Sequence, residues 1–153
     1  MNSFPSRFHE DAEASIGFLF IRVYNLWHRQ IKSQLQTLGL THPQYVVLAS
    51  LGYLLQKQKE VTQILVAQNA DMDVMTVSTI LKNLEKKKWI LRTTSSQDTR
   101  AKWVNLTDKG HEILTLALPI VEEIDAKFFL TLGKEEKHFH ALLKELLRGE
   151  END

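Results

Sequence analysis

Between Asp73 and Thr107 the chain reads D-VMTVSTILKNLEKKK-WILRTT-SSQDTR-AKWVNL-T, and the spacing of its apolar residues changes within that run. Val77, Leu81 and Leu84, flanked by Val74 and Ile80, recur at the interval of a helix. Trp89–Thr94 and Ala101–Leu106 then alternate in twos, as paired strands do around a polar loop. A helix that passes with almost no linker into a cationic hairpin suits duplex DNA. The helix fits the major groove, and an arginine on the ribbon can enter the minor groove.

Projecting the helix at 100° per residue turns Met75, Thr79, Lys82 and Lys86 away from the core, with Thr76, Ser78 and Asn83 at the margins. Short hydroxyls approach base edges closely, while long cations reach phosphates. These seven residues are the expected reading face. On the hairpin, Ile90 and Arg92 alternate toward one face, as do Val104 and Leu106; Leu91 and Trp103 share the other.

The formal net charge of zero argues at first against a polyanionic partner, but its distribution reverses that argument. From Thr76 to Gly110 eight bases face three acids, whereas from His111 onward ten acids face five bases. A basic segment beside an acidic end fits one nucleic-acid face and one protein-facing end. With no cysteine, disulfides, thiolate ligands and thiol redox switching are excluded. No apolar run approaches the roughly 18 residues needed to span a bilayer, and the start, MNSFPSRFHEDAEAS, has acids where a signal peptide has a basic end. A cytoplasmic protein with no membrane partner is expected.

At 153 residues the chain suits one compact domain. Ile16, Leu19, Phe20, Val23, Leu26, Trp27, Ile31, Leu35 and Leu38 predict one first helix of about 28 residues, stopped by Gly39. Its apolar stripe exceeds what a small core needs, so part of it is expected to pack on another subunit. Thr41-His-Pro-Gln44 has the form of a capping box for a second helix, and Thr62 is the cap expected for a short third. Thr107-Asp108 opens a fifth helix, which Pro119 should kink; Gly133 separates it from a sixth.

The order of elements and several motifs together resemble the MarR family of bacterial winged-helix transcription regulators. The residues that carry the resemblance are L-T-x-x-Q-Y at Leu40–Tyr45, V-T-Q at Val61–Gln63, T-V-S-x-x-L-x-x-L-E-K-K at Thr76–Lys87, W-I-x-R at Trp89–Arg92, D-x-R at Asp98–Arg100 and L-T-x-K-G at Leu106–Gly110. The resemblance covers nearly the whole chain. It implies a mainly α fold with a small β-hairpin wing, a winged helix-turn-helix with a long helical dimerisation region. The lobe that binds double-stranded DNA would occupy residues 41–107, and the dimerisation elements 9–39 and 108–148. It also implies a homodimer on a roughly palindromic operator, often relieved by a small anionic or phenolic effector.

By motif position, Arg100 is the wing residue for the minor groove, Asp98 the carboxylate that holds the loop, and Lys102 a further wing cation. Trp27, His28, Tyr45 and Tyr53 lie where the first two helices meet the lobe, the region in which the family places its effector. The family pattern usually has Gly after E-K-K, and this chain has Lys88. A positive φ there would cost about 1 kcal/mol relative to Gly.

Other classes fare worse. Ser78 and Ser96 sit in no glycine-bounded elbow, and no phosphate-cradling glycine loop exists, so no catalytic residue is expected. His138 and His140 point to different sides of a helix, and neither His111 nor His28 completes a His-x-x-x-His pair; no metal site and no cofactor is expected. The serious rival is a winged-helix module that binds another protein and no DNA. Salt dependence of duplex binding separates the two. The reading adopted is a homodimeric repressor released by a small aromatic or anionic ligand.

Overall fold

A computed structural model describes residues 3–94 and 102–151. Among them are six α-helices and a two-stranded antiparallel sheet: α1 (Ile16–Leu35), α2 (His42–Lys57), α3 (Gln63–Ala70), α4 (Val74–Lys86), β1 (Ile90–Thr94), β2 (Lys102–Leu106), α5 (Asp108–Phe129) and α6 (Glu136–Glu151). The mainly helical class with a hairpin is thus the observed one. The chain divides into two compact units, Met1–Ile120 and Val121–Asp153, with α5 passing from one to the other.

Local chemistry sets most boundaries in the first unit. Ser15, in extended backbone, accepts the Phe18 N–H at 3.3 Å and starts α1, which runs for 20 residues before a short 3-10 turn at Gln36–Leu38 and a left-handed Gly39. The continuous helix is therefore shorter than the apolar repeat predicts, because the chain is capped at Ser15 and tightens after Leu35. The capping box of α2 is complete. Thr41 Oγ1 accepts the Gln44 N–H at 3.2 Å, and Gln44 Oε1 accepts the Thr41 N–H at 3.1 Å. Thr62 caps α3 through the Leu65 N–H at 3.2 Å, and Asp71 ends it with φ 52°.

The core forms where the apolar stripes of these elements meet. Ile31 and Leu35 of α1, Leu48 and Leu51 of α2, Val66 of α3, and Val77, Leu81 and Leu84 of α4 are fully buried, with Ile90 and Val104 from the hairpin. Each such side chain contributes about 1.5–3 kcal/mol through burial. Val74, which the spacing places beside this stripe, is instead 43% exposed at the first position of α4.

The hairpin pairs Ile90 with Leu106 and Arg92 with Val104. A third segment braces it: the Val104 N–H donates to the Val61 carbonyl at 2.8 Å, and Thr62 bridges to Trp103. Between α4 and β1, Lys88 has φ 62°. This is the left-handed conformation that the missing glycine would have taken without steric cost. Thr107 then ties the exit of the hairpin to that turn. Its hydroxyl donates to the Lys88 carbonyl at 2.7 Å and accepts the Gly110 N–H at 3.0 Å, so the same oxygen caps α5.

α5 continues through Pro119 as one helix. In the second unit, Gly133 with φ 56° and ψ −124° breaks the path between α5 and α6. Phe129 lies between Phe128 and Phe139, with ring centroids 5.1 and 6.0 Å away. Leu142, Leu146 and Leu147 of α6 remain exposed.

Candidate nucleic-acid interface

Asp73 caps α4. Its carboxylate accepts the Met75 and Thr76 N–H groups at 3.1 and 3.2 Å, which fixes the first turn of α4 and occupies two of the donors at its N-terminus. Contact with a polyanion from this helix is therefore left mainly to its side chains. Met75, Thr76, Thr79, Lys82, Asn83 and Lys86 are all exposed, and Ser78 is half-buried at the margin. Six of the seven residues proposed for the reading face are thus open to solvent, and Ser78 only in part. Thr79 donates its hydroxyl proton to the Met75 carbonyl at 3.1 Å, so in this state it offers a partner its lone pairs and its methyl group.

The cations of the segment are not equivalent. Lys82 and Lys86 project into solvent, whereas Lys87, also exposed, lies along the surface: its Nζ donates to the Gly39 carbonyl at 2.6 Å and stands 4.5 Å from the centre of the Trp89 ring. Lys87 therefore closes the end of α4 onto the turn between α1 and α2. Lys102 is exposed on β2. Asp98 and Arg100 lie outside the described residues, as does Ser96.

Arg92 is the residue whose role the spacing alone does not reveal. It points inward from β1 and donates to Gln63 Oε1 of α3 at 2.9 Å and to Glu85 Oε1 of α4 at 3.2 Å. Its side chain is only 12% exposed, and its Nε is buried without a hydrogen-bond partner among the described residues. One guanidinium thus links the bracing helix, the outward-facing helix and the wing. The hydrogen bond from Arg92 holds the Glu85 carboxyl below its ordinary pKa, with the charge of Arg92 adding to the effect. An arginine in register with buried Ile90 was the available signal, since an inward cation needs acceptors.

The four residues considered for an effector separate in the structure. Trp27 and His28 join an aromatic cluster between α1 and α2: Trp27 meets the His42 ring edge-on at 5.1 Å, and His28 stacks on Tyr24 at 5.6 Å and on His42 at 4.9 Å. The Nδ1 atoms of His28 and His42 are 2.7 Å apart, so one ring donates and the other accepts. Burial, reinforced by the neighbouring His28, lowers the pKa of His42. Sequence spacing gives no sign of this pair, because it joins separate helices. Tyr45 is buried. Tyr53 is half exposed and lines a cavity of about 640 Å³ between α2 and α5, whose walls include none of Trp27, His28 and Tyr45. No group of three or more metal-ligating side chains occurs among the described residues.

The family described as transcriptional regulator SarA/Rot matches residues 29–115. The HTH-type transcriptional regulator YdcH of Bacillus subtilis is 40% identical over 136 residues, covering 89% of this chain and 92% of the relative. The HTH-type transcriptional repressor Rv2887 of Mycobacterium tuberculosis is 25% identical over 135 residues, covering 88% and 94%. Among solved structures, Staphylococcus aureus MepR in complex with DNA superposes with a TM-score of 0.78 at 29% identity, covering 88% of this chain and 98% of that one. A mutant of Escherichia coli MarR bound to operator DNA shares the fold, with a TM-score of 0.79 at 24% identity, covering 93% and 99%.

Proposed function

This chain belongs to the MarR-type winged-helix transcriptional regulators, with the SarA/Rot family as its matching group, and we propose that it works as a homodimeric repressor that a small organic ligand releases from its operator. The observation that carries the DNA-reading part is the outward face of α4. Thr76, Thr79, Lys82, Asn83 and Lys86 are exposed together there, while Val77, Leu81 and Leu84 lock the opposite face into the core. In this reading α4 enters the major groove, α3 braces it, and Arg92 fixes the angle between them. Lys102 meets adjacent phosphates. Arg100, by its place in the D-x-R motif, serves the minor groove, and Asp98 holds the loop.

Dimerisation is supported by apolar surface that the chain leaves uncovered. On α1, Phe20, Ile21 and Leu26 are 60, 49 and 47% exposed; on α6, Leu146 is 71% exposed. Patches of this kind mark subunit contacts in soluble proteins. Two lobes on a two-fold axis would meet half-sites about 10 base pairs apart. Footprinting on the region upstream of the chain's own gene, with sedimentation of the free protein, tests the proposal. The expected result is a dimer at micromolar concentration and a protected site with two-fold symmetry. A monomer, or a stable complex with another protein and no duplex binding, would contradict it.

Release requires a ligand that binds free dimer more tightly than DNA-bound dimer. Without cysteine the chain has no thiolate for peroxide to act on, so the trigger proposed is a small aromatic compound. Titrating aromatic compounds, salicylate-like acids included, against the operator complex should dissociate it. Release by zinc or peroxide, with no response to any aromatic compound, would overturn this part.

A further inference from the structure

We propose that the N-terminal half of α4 selects an A·T base pair in each half-site, with the Met75 side chain and the Thr79 methyl group packed on the C5-methyl of thymine. The inference deepens the operator reading above and rests on it, since α4 is taken as the helix in the major groove. In helix-turn-helix proteins the N-terminal residues of that helix are the ones that meet base edges. Met75 is the second residue of α4, and Thr79 follows one turn later on the same side.

The hydrogen bonds of these turns decide which bases suit them. The Met75 and Thr76 N–H groups donate to the Asp73 carboxylate at 3.1 and 3.2 Å, and the Thr76 hydroxyl is directed to the same carboxylate at 3.5 Å. The Thr79 hydroxyl donates to the Met75 carbonyl at 3.1 Å. These donors are turned inward. Toward a partner, Met75, Thr76 and Thr79 present a thioether chain, methyl groups and hydroxyl lone pairs.

In the major groove a guanine edge carries only acceptors, N7 and O6, and gains nothing from such a surface. An A·T pair offers it a methyl group on thymine and an amino donor on adenine, which a threonine oxygen can accept. A G·C pair also has an amino donor, on cytosine, but no methyl. The thymine methyl is therefore what separates the pairs, and a flexible, polarizable methionine is well suited to cover it.

A single exposed apolar side chain is common on protein surfaces. What distinguishes Met75 is its place. It is 77% exposed, while Val77, Leu81 and Leu84 on the other side of the same helix are fully buried, so the core does not require it. Contact with thymine would remove apolar surface of both partners from water. Lys82 lies about 10 Å farther along the helix, and with Lys86 it is exposed to reach phosphates. The outward face of α4 is thus divided into an apolar part that discriminates and a cationic part that holds.

The test uses the full chain and a duplex that the wild type enriches from random sequences, remade with deoxyuridine in place of thymidine at each position in turn. Uracil pairs with adenine as thymine does and lacks only the methyl group. At one position of each half-site the replacement should weaken wild-type binding about fourfold in one half-site and about fifteenfold in both, as expected for one buried methyl in each. Met75→Ala should bind the thymine duplex more weakly, respond little to the replacement and keep the wild-type dependence on salt, because no charge is lost. Met75→Leu, which retains apolar surface, should keep the discrimination. The proposal is overturned, with the operator reading intact, if the wild type is indifferent to deoxyuridine at every position or if Met75→Ala discriminates as strongly as the wild type. Failure to enrich any duplex would overturn both.

Discussion

The carbonyl group of Trp89 fills the space that a side chain at Gly110 would need. A Cβ built at Gly110 lies 2.8 Å from the Trp89 carbonyl carbon and far inside van der Waals contact with its oxygen. The same oxygen accepts the Thr107 N–H at 3.1 Å, so it cannot move without breaking the exit from the hairpin. This accounts physically for the L-T-x-K-G run: Thr107 caps α5, and Gly110 lets α5 start against the turn that ends α4. Gly110→Ala should therefore destabilise the chain by about 2 kcal/mol or more, because the clash is with backbone and not with a yielding side chain. Urea unfolding measures it; a loss below 0.5 kcal/mol would refute the close approach.

At position 88 the usual ranking of residues should invert. Lys88 has φ 62°, a conformation that costs a residue with a Cβ about 1 kcal/mol relative to glycine. Lys88→Gly should be more stable than Lys88→Ala by about that amount. Equal stability of the two variants would show that the turn relaxes to negative φ in solution.

Arg92 should matter through position and not through contact with DNA. Arg92→Leu removes hydrogen bonds to Gln63 and Glu85 together, and should cost about 1–3 kcal/mol of stability and weaken operator binding. Because the arginine lowers the Glu85 pKa, that carboxylate's share is present above about 4.5, its ordinary value, and lost as pH falls through the depressed one. Glu85→Gln should flatten the acid limb of the stability curve. A variant pair with wild-type stability and an unchanged acid limb would remove the lock.

The His28–His42 contact gives a second pH dependence at a higher window. His42 has a folded-state pKa below its ordinary 6.5, so the unfolded chain binds the proton first. Stability should begin to fall as pH drops below about 6.5, and this contribution should cease below the lowered folded value. In His42→Gln the slope between these limits should vanish. A wild-type curve already flat there would contradict the burial of a neutral His42.

How much of this was legible in the sequence depends on whether a feature is local. The capping box at Thr41 and Gln44, the cap at Thr62 and the exposure of Met75, Thr79, Lys82 and Lys86 on α4 follow from spacing over one or two turns, and the structure has them all. At Lys88 the family pattern raised only the possibility of a strained φ, and the structure supplies it, at 62°. The His28–His42 pair was not, since their helices meet only through tertiary packing. Nor was the separation of Tyr53 from Trp27 and His28: all are aromatic residues near a junction, and only the folded chain shows which surface each one lines. Lys87 illustrates the same limit, being one of a run of lysines yet the one bonded to Gly39.

The central claim, that the exposed face of α4 grips duplex DNA, is tested most directly by operator affinity measured across a range of salt for wild type, Lys82→Ala and Lys86→Ala. Binding by the wild type should fall steeply with salt, and each substitution should lower the slope of log K against log salt by about one. Salt-insensitive binding by the wild type, or slopes unchanged in both variants, would contradict the assignment of this face.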